Sequence, residues 1–173
     1  MRLAGRRLVL RSATPDDATF LTAIRAEPEV ERRWGVLEAG EMEEFVADPK
    51  TLVIEVDGDV IGAVQYDEVE DPMYRSANLD LYVTTPRHGQ GLGSEAARVL
   101  ARYLIAERGH HRLTIDPAAD NTAAIRAYEK VGFRPVGVMR EYERGPDGTF
   151  HDGLLMELLE GDLIDEEGPT APA

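Results

Sequence analysis

Residues 77–94 read Ala77-Asn-Leu-Asp-Leu-Tyr-Val-Thr-Thr-Pro-Arg-His-Gly-Gln-Gly-Leu-Gly-Ser94, and the reading of this stretch decides the fold. Leu79, Leu81 and Val83 alternate with Asn78, Asp80, Tyr82 and Thr84, the period of a strand with two unlike faces. Pro86 has no N–H to donate and ends the ladder. Gly89, Gly91 and Gly93 follow at alternate positions, where missing Cβ atoms let backbone N–H groups come close to a ligand. From Ser94 to Glu107, Ala97, Leu100, Tyr103 and Leu104 recur at helical spacing with charges between them. The spacing predicts a helix that begins where the glycines end, and its unpaired N–H groups and positive dipole end form an anion site.

The turn lacks the Gly-Lys-Ser/Thr ending that reaches nucleoside-triphosphate phosphates and holds magnesium. Its glycines are also spaced differently from those of the dinucleotide fingerprint. Taken alone, Gly-x-Gly-x-Gly is equally readable as a tight structural turn.

Outward from this centre, the upstream chain reads as strand, helices and a meander. Arg7 to Arg11 is a strand; Thr14 is an N-cap with Pro15 at the first helical position, and the helix runs through Phe20, Leu21 and Ile24 to Pro28. Glu29 to Gly35 and Glu41 to Ala47 are two further short helices. Thr51 to Val56 and Asp59 to Tyr66 are strands joined by Asp57-Gly58, and Asp67 to Arg75 reads as a loop. Downstream, Arg112 to Asp116 is a strand parallel to 77–84, because a helix of this length is the natural crossover between parallel strands. Asn121 caps the next helix, with Ala124, Ile125, Tyr128 and Val131 on its apolar side. Phe133 to Tyr142 and Gly148 to Leu158 form a last hairpin. This order argues for a layered α/β or α+β fold and against a helical bundle. Residues 1–159 are read as a single domain and 160–173 as an acidic, disordered tail.

Composition sets the class. A chain of 173 residues with 43% hydrophobic and 30% charged residues suits one globular domain with a real core. No apolar run approaches a membrane span, and the first ten residues carry no signal-peptide core, so a cytoplasmic protein is expected. The absence of cysteine excludes disulfides, thiolate nucleophiles and thiolate metal sites, and no other metal site is expected. Nineteen basic against 33 acidic residues leave a net charge of −14. That field disfavours nucleic acid and anionic membrane and attracts cations.

Two stretches resemble a known family. Asp80 to Ser94 is similar to the acetyl-coenzyme-A motif of the Gcn5-related N-acetyltransferases, Gln/Arg-x-x-Gly-x-Gly/Ala, with Gly91-Leu92-Gly93-Ser94 at its end and His88 at its first position instead of Gln or Arg. Asn121-Thr-Ala-Ala-Ile-Arg-Ala-Tyr-Glu-Lys-Val-Gly-Phe133 resembles the family's Asn-x-x-Ala-x-x-x-Tyr-x-x-x-Gly-Phe segment at the expected distance downstream. The resemblance implies a mixed sheet of about six to seven strands with about four helices around it. It also implies a splay between the fourth and fifth strands, here 77–84 and 112–116, and acetyl-CoA as co-substrate. Its arm would meet the backbone of Tyr82 and Val83; its pyrophosphate would lie on His88, Gly89, Gln90, Gly91, Leu92, Gly93 and Ser94. Asn121 is either a contact of that arm or simply a helix cap.

By the same resemblance, Tyr128 is the acid that protonates the leaving thiolate, with packing on the helix as the alternative. Asp80 and Asp116, one on each splayed strand, are candidates for the base and for binding an ammonium group. Trp34, the only tryptophan, is either core or a wall of the acceptor pocket. The run from Thr114 to Phe133 is similar to that of aminoglycoside 6′-N-acetyltransferases, which also share an aspartate at Asp80 and a Trp-Gly at Trp34-Gly35. This implies an aminoglycoside acceptor and a resistance role, with homodimers common in the family. The alternatives are a ribosomal-protein-type N-terminal acetyltransferase and a non-catalytic acetyl-CoA-binding module.

Overall fold

The computed structural model describes residues 1–165. Among these described residues, eight strands and five helices alternate. They are β1 (Arg2–Ala4), β2 (Val9–Ser12), α1 (Ala18–Arg25), α2 (Pro28–Trp34), α3 (Glu41–Ala47), β3 (Thr51–Val56), β4 (Asp59–Val69), β5 (Ser76–Val83), α4 (Leu92–Ala106), β6 (Arg112–Ile115), α5 (Thr122–Glu129), β7 (Arg134–Arg144) and β8 (Phe150–Leu159). One sheet runs in the order β1-β2-β3-β4-β5-β6-β8-β7. The five helices stand where the sequence pattern puts them, one more than the resemblance implies, and β1 is the added strand; its three residues leave too short a pattern to read.

Local chemistry accounts for most of the elements. Thr14 and Asp17 form a capping box, and Arg11 grips Asp17 with two hydrogen bonds of 2.7 and 2.9 Å. Asp57 (φ 53°) and Gly58 (φ 90°) take the double left-handed turn that matches strand twist, closing β3 on β4. The acidic stretch after Tyr66, expected as loop, begins as strand: β4 continues to Val69, which pairs with Ser76. Cross-strand pairing there overrides a polar sequence with weak strand propensity.

Helices cover both faces of the sheet. On one side Leu92, Ala96, Leu100 and Leu104 of α4 pack with Leu52, Ile54, Leu79 and Leu113 of the sheet. On the other, Leu21, Ile24, Val30, Met42 and Val46 of α1–α3 pack on Val53, Ala63 and Tyr82. Strand alternation sends neighbours such as Leu52 and Val53 into opposite layers.

All pairings are antiparallel except that of β5 with β6, which joins only Ala77 to Leu113 and Asn78 to Thr114. Beyond Asn78 the two strands part, and this is the splay expected from the resemblance.

The tail assignment needs correcting at its start. Residues 160–165 fold back on the domain: the Ile164 N–H donates to Val131 O at 2.9 Å, and Arg98 donates to Ile164 O at 2.8 Å and Lys130 O at 3.1 Å. The rest of that segment lies outside the described residues. Gly132 makes the approach workable, with φ of +115° and an added Cβ only 2.0 Å from Asp162 O. Gly132→Ala is therefore expected to lower stability by about 2–3 kcal/mol in chemical denaturation, through strain and clash together. Gly161→Ala, at a position with open space, should stay within about 0.5 kcal/mol of the parent.

Candidate active site

The splay exposes backbone that a sheet normally uses. The Thr84 N–H donates to Ile61 O in β4 at 2.7 Å, and Tyr82 O faces Gly62, where a Cβ would sit 2.0 Å from it. Successive residues of a strand turn their polar groups to opposite sides. Tyr82 thus commits its backbone to β4, while Leu81 and Val83 present theirs to the gap. Of the two expected arm contacts, Val83 is the one whose backbone is placed to serve.

The turn after β5 is built as an anion cradle. Gly89 (φ +73°) and Gly91 (φ +76°) lie in the left-handed region, and Gly91 is the N-cap of α4. With Glu95 the first residue to donate into the helix, at 3.1 Å to Gly91 O, the N–H groups of Leu92, Gly93 and Ser94 have no intrahelical acceptor. The Ser94 hydroxyl turns back to Gly91 O at 2.9 Å. From behind, Arg7 braces the turn by donating to Gln90 O at 2.8 Å and to the buried Glu95 at 2.8 Å.

Two expected contacts are placed differently. His88 Nε2 lies 2.7 Å from Val83 O; a carbonyl only accepts, so this nitrogen carries the proton and ties the turn to β5. Gln90 points to Pro86 O at 3.1 Å, away from the cavity.

That cavity holds about 410 Å³ between the turn, α2 and α5. Arg87, Arg126 and Lys130 line it, and none of the three is ion-paired among the described residues. Helix-start N–H groups with unpaired cations around them suit a polyphosphate. Arg126 on α5 and Lys130, its C-cap in helical conformation, carry a signal in the sequence, since residues four apart share one helix face.

A second cavity of about 480 Å³ opens from the first, and Trp34, Leu81, Asn121, Ala124 and Tyr128 line both. Asp80, Asp116 and Tyr128 come together here. Asn78, Asp80 and Tyr82 share one face of β5; the α1–α3 layer buries Tyr82 and leaves Asp80 at the open end. Asp80 is a solvent-exposed residue whose side chain lines this cavity. Desolvation, then Asp116 and Glu143, push its pKa up to about 7 against the opposing pull of the Leu81 N–H and Arg25. Asp116 accepts from Asn78 at 3.3 Å, and its nearness raises the pKa of the Tyr142 hydroxyl.

Tyr128 is buried, and its hydroxyl has no hydrogen-bond partner among the described residues. Burial and the two aspartates raise its pKa, so it is fully protonated near neutrality. Trp34 is half-buried against the α1–α3 layer: its ring lies edge-on to Tyr82 at 4.9 Å, with Arg25 5.2 Å above it, and it lines both cavities. Asn121 caps α5 through Ala124 N–H at 3.2 Å while also lining both cavities. Sequence reading missed Glu143 and Tyr142, which reach the cleft from the far end of β7. Burial and Asp116 raise the Glu143 carboxyl too. Among the described residues, no group of three or more His, Cys, Asp or Glu is arranged to hold a metal ion.

A turn suited to a polyphosphate and a carboxylate-bearing cavity thus meet across one strand gap. Residues 7–134 match the acetyltransferase (GNAT) domain, and the chain belongs to this family of acetyl-CoA-dependent N-acetyltransferases. An uncharacterized N-acetyltransferase derived from the SPbeta prophage of Bacillus subtilis is 23% identical, with 89% of this chain and 90% of that one covered. Spermidine N(1)-acetyltransferase of Escherichia coli is 28% identical over 68% of this chain, and the match spans 62% of that enzyme. Mycobacterium smegmatis RimJ, solved in complex with CoA-disulfide, superposes with a TM-score of 0.83 at 22% identity over 95% of this chain and 90% of that one.

The double variant Arg126→Gln/Lys130→Gln is expected to weaken acetyl-CoA binding about tenfold, or about 1.4 kcal/mol, in calorimetric titration. The loss should shrink as salt rises, because the attraction it removes is screened.

Proposed function

We propose that this enzyme acetylates a primary amine of a small polycationic acceptor, either the 6′-amine of an aminoglycoside or a terminal amine of a polyamine. The observation that carries this reading is the set of three carboxylates, Asp80, Asp116 and Glu143, on the acceptor cavity next to Tyr128. Carboxylates in a recess attract and orient cationic sugars or polyamines. The spermidine enzyme of Escherichia coli adds support for a polyamine, and the Thr114–Phe133 resemblance favours an aminoglycoside.

The coenzyme supplies a thioester-activated acetyl group. In the proposed reaction Asp116 holds the incoming ammonium, and Asp80, with its pKa near neutrality, takes one of its protons. The amine nitrogen then forms a bond to the thioester carbonyl carbon while the carbon–sulfur bond breaks. Tyr128 gives its hydroxyl proton to the departing thiolate and regains one from the attacking nitrogen, which loses its second proton on becoming the amide; positioning of the two substrates in one ternary complex supplies the remaining acceleration.

Thiol release from acetyl-CoA, followed against aminoglycosides, spermidine and N-terminal peptides, tests the reading. Turnover with polycations and none with peptides is the expected result, and turnover with peptides alone would replace it with protein N-terminal acetylation. Because the base must be ionised, kcat/KM should fall as pH drops through about 7. Asp80→Asn should remove that limb and lower kcat by about 10²- to 10⁴-fold. Asp116→Asn should lower turnover with little change in acetyl-CoA affinity. The acceptor KM should rise with added salt, since exposed charges are screened beyond about 8–10 Å; a flat response contradicts electrostatic capture.

A further inference from the structure

Glu27 lines neither the coenzyme cavity nor the acceptor cavity, yet it is bonded to the walls of the first. Its backbone carbonyl accepts the N–H groups of Val30 and Glu31 at 2.9 and 2.8 Å and so starts α2, the helix that carries Val30, Arg33 and Trp34 into the cavity. Its carboxylate reaches across to the end of β5. There it accepts the Thr84 hydroxyl, and it accepts the Thr85 N–H at 2.6 Å. Thr85 opens the short 3-10 turn Thr85–Arg87, whose own side-chain cap is missing. The carboxylate of a residue 58 positions away therefore serves as that cap. Burial opposes the charge, but the hydrogen bonds from Thr84 and Thr85, with His88 nearby, hold the Glu27 carboxyl below the usual range.

The consequence reaches the phosphates. Arg87 N–H closes on Thr84 O at 2.9 Å and His88 N–H on Thr85 O at 3.0 Å, so the backbone that leads to Gly89 starts from the two threonines that Glu27 grips. We propose that Glu27 is a positioning residue for the coenzyme: it fixes the start of the phosphate turn and locks that turn to α2, without touching the ligand. Glu27 sets where the N–H groups of Leu92, Gly93 and Ser94 point relative to the Val83 amide. This placement rests on the coenzyme cavity alone and is independent of which amine is acetylated.

The test separates the two halves of the coenzyme. Calorimetric affinities are measured for coenzyme A, for its nucleotide half 3′-phosphoadenosine diphosphate, and for pantetheine in competition. Glu27→Ala is expected to weaken coenzyme A and the nucleotide half alike, by about tenfold each, and to leave pantetheine competition unchanged. Glu27→Gln, whose amide oxygen still accepts the Thr85 N–H, should recover most of the loss. A general loosening of the fold would weaken pantetheine as well, and that result overturns the proposal. So does an unchanged affinity for the nucleotide half. Should Glu27→Ala not fold, Thr84→Val removes only one of the two carboxylate hydrogen bonds; it should weaken the nucleotide half by about threefold, and equal affinity would again overturn the proposal.

Discussion

The parting of β5 from β6 after only two paired positions is the constraint on which the rest of the molecule depends. A parallel pair needs a crossover, and α4 supplies it, so the start of α4 is delivered to the end of β5. The same logic brings the start of α5 to the end of β6. Two helix starts, two strand-end aspartates and a stretch of unpaired strand backbone then meet in one crevice at the carboxyl ends of parallel strands, where ligands of such sheets bind. Full pairing of β5 with β6 would satisfy Leu81 and Val83 internally and close the crevice.

Charge is partitioned along this crevice. The chain as a whole is strongly acidic, with a net charge of −14, yet its coenzyme must be an anion. Arg87, Arg126 and Lys130 gather at the glycine turn, and Asp80, Asp116 and Glu143 gather at the other mouth. At ordinary salt, charges more than about 8–10 Å apart scarcely feel each other, so these local linings outweigh the global balance. Desolvation, and then the neighbouring carboxylates, have a chemical result: Asp80 ionises less freely than an isolated aspartate.

The parts of the site visible in sequence were those decided within a few residues. Left-handed glycines, a proline that stops a strand, an amphipathic run and an asparagine cap are local physics, and Gly89, Gly91, Pro86, α4 and Asn121 all stand where that physics put them. Asp80, Asp116 and Tyr128 could be brought together only through the family resemblance, because the strand gap joining them is a property of the sheet. Glu27, Tyr142 and Glu143 were invisible: each reaches its partner over dozens of residues, and nothing in their neighbours marks them. Sequence pattern also could not show that Ile164 docks beside Gly132, since that contact depends on a backbone approach with no periodic signature.

Amide hydrogen exchange with and without acetyl-CoA addresses the strand gap and the helix start at once. The amides of Leu81 and Val83 and of Leu92, Gly93 and Ser94 should exchange readily in the free protein and become protected on binding, while Tyr82, already turned toward β4, changes little. Protection confined to other segments, or fast exchange persisting at Val83 and the first turn of α4 in the saturated protein, would contradict the placement of the coenzyme between the splayed strands.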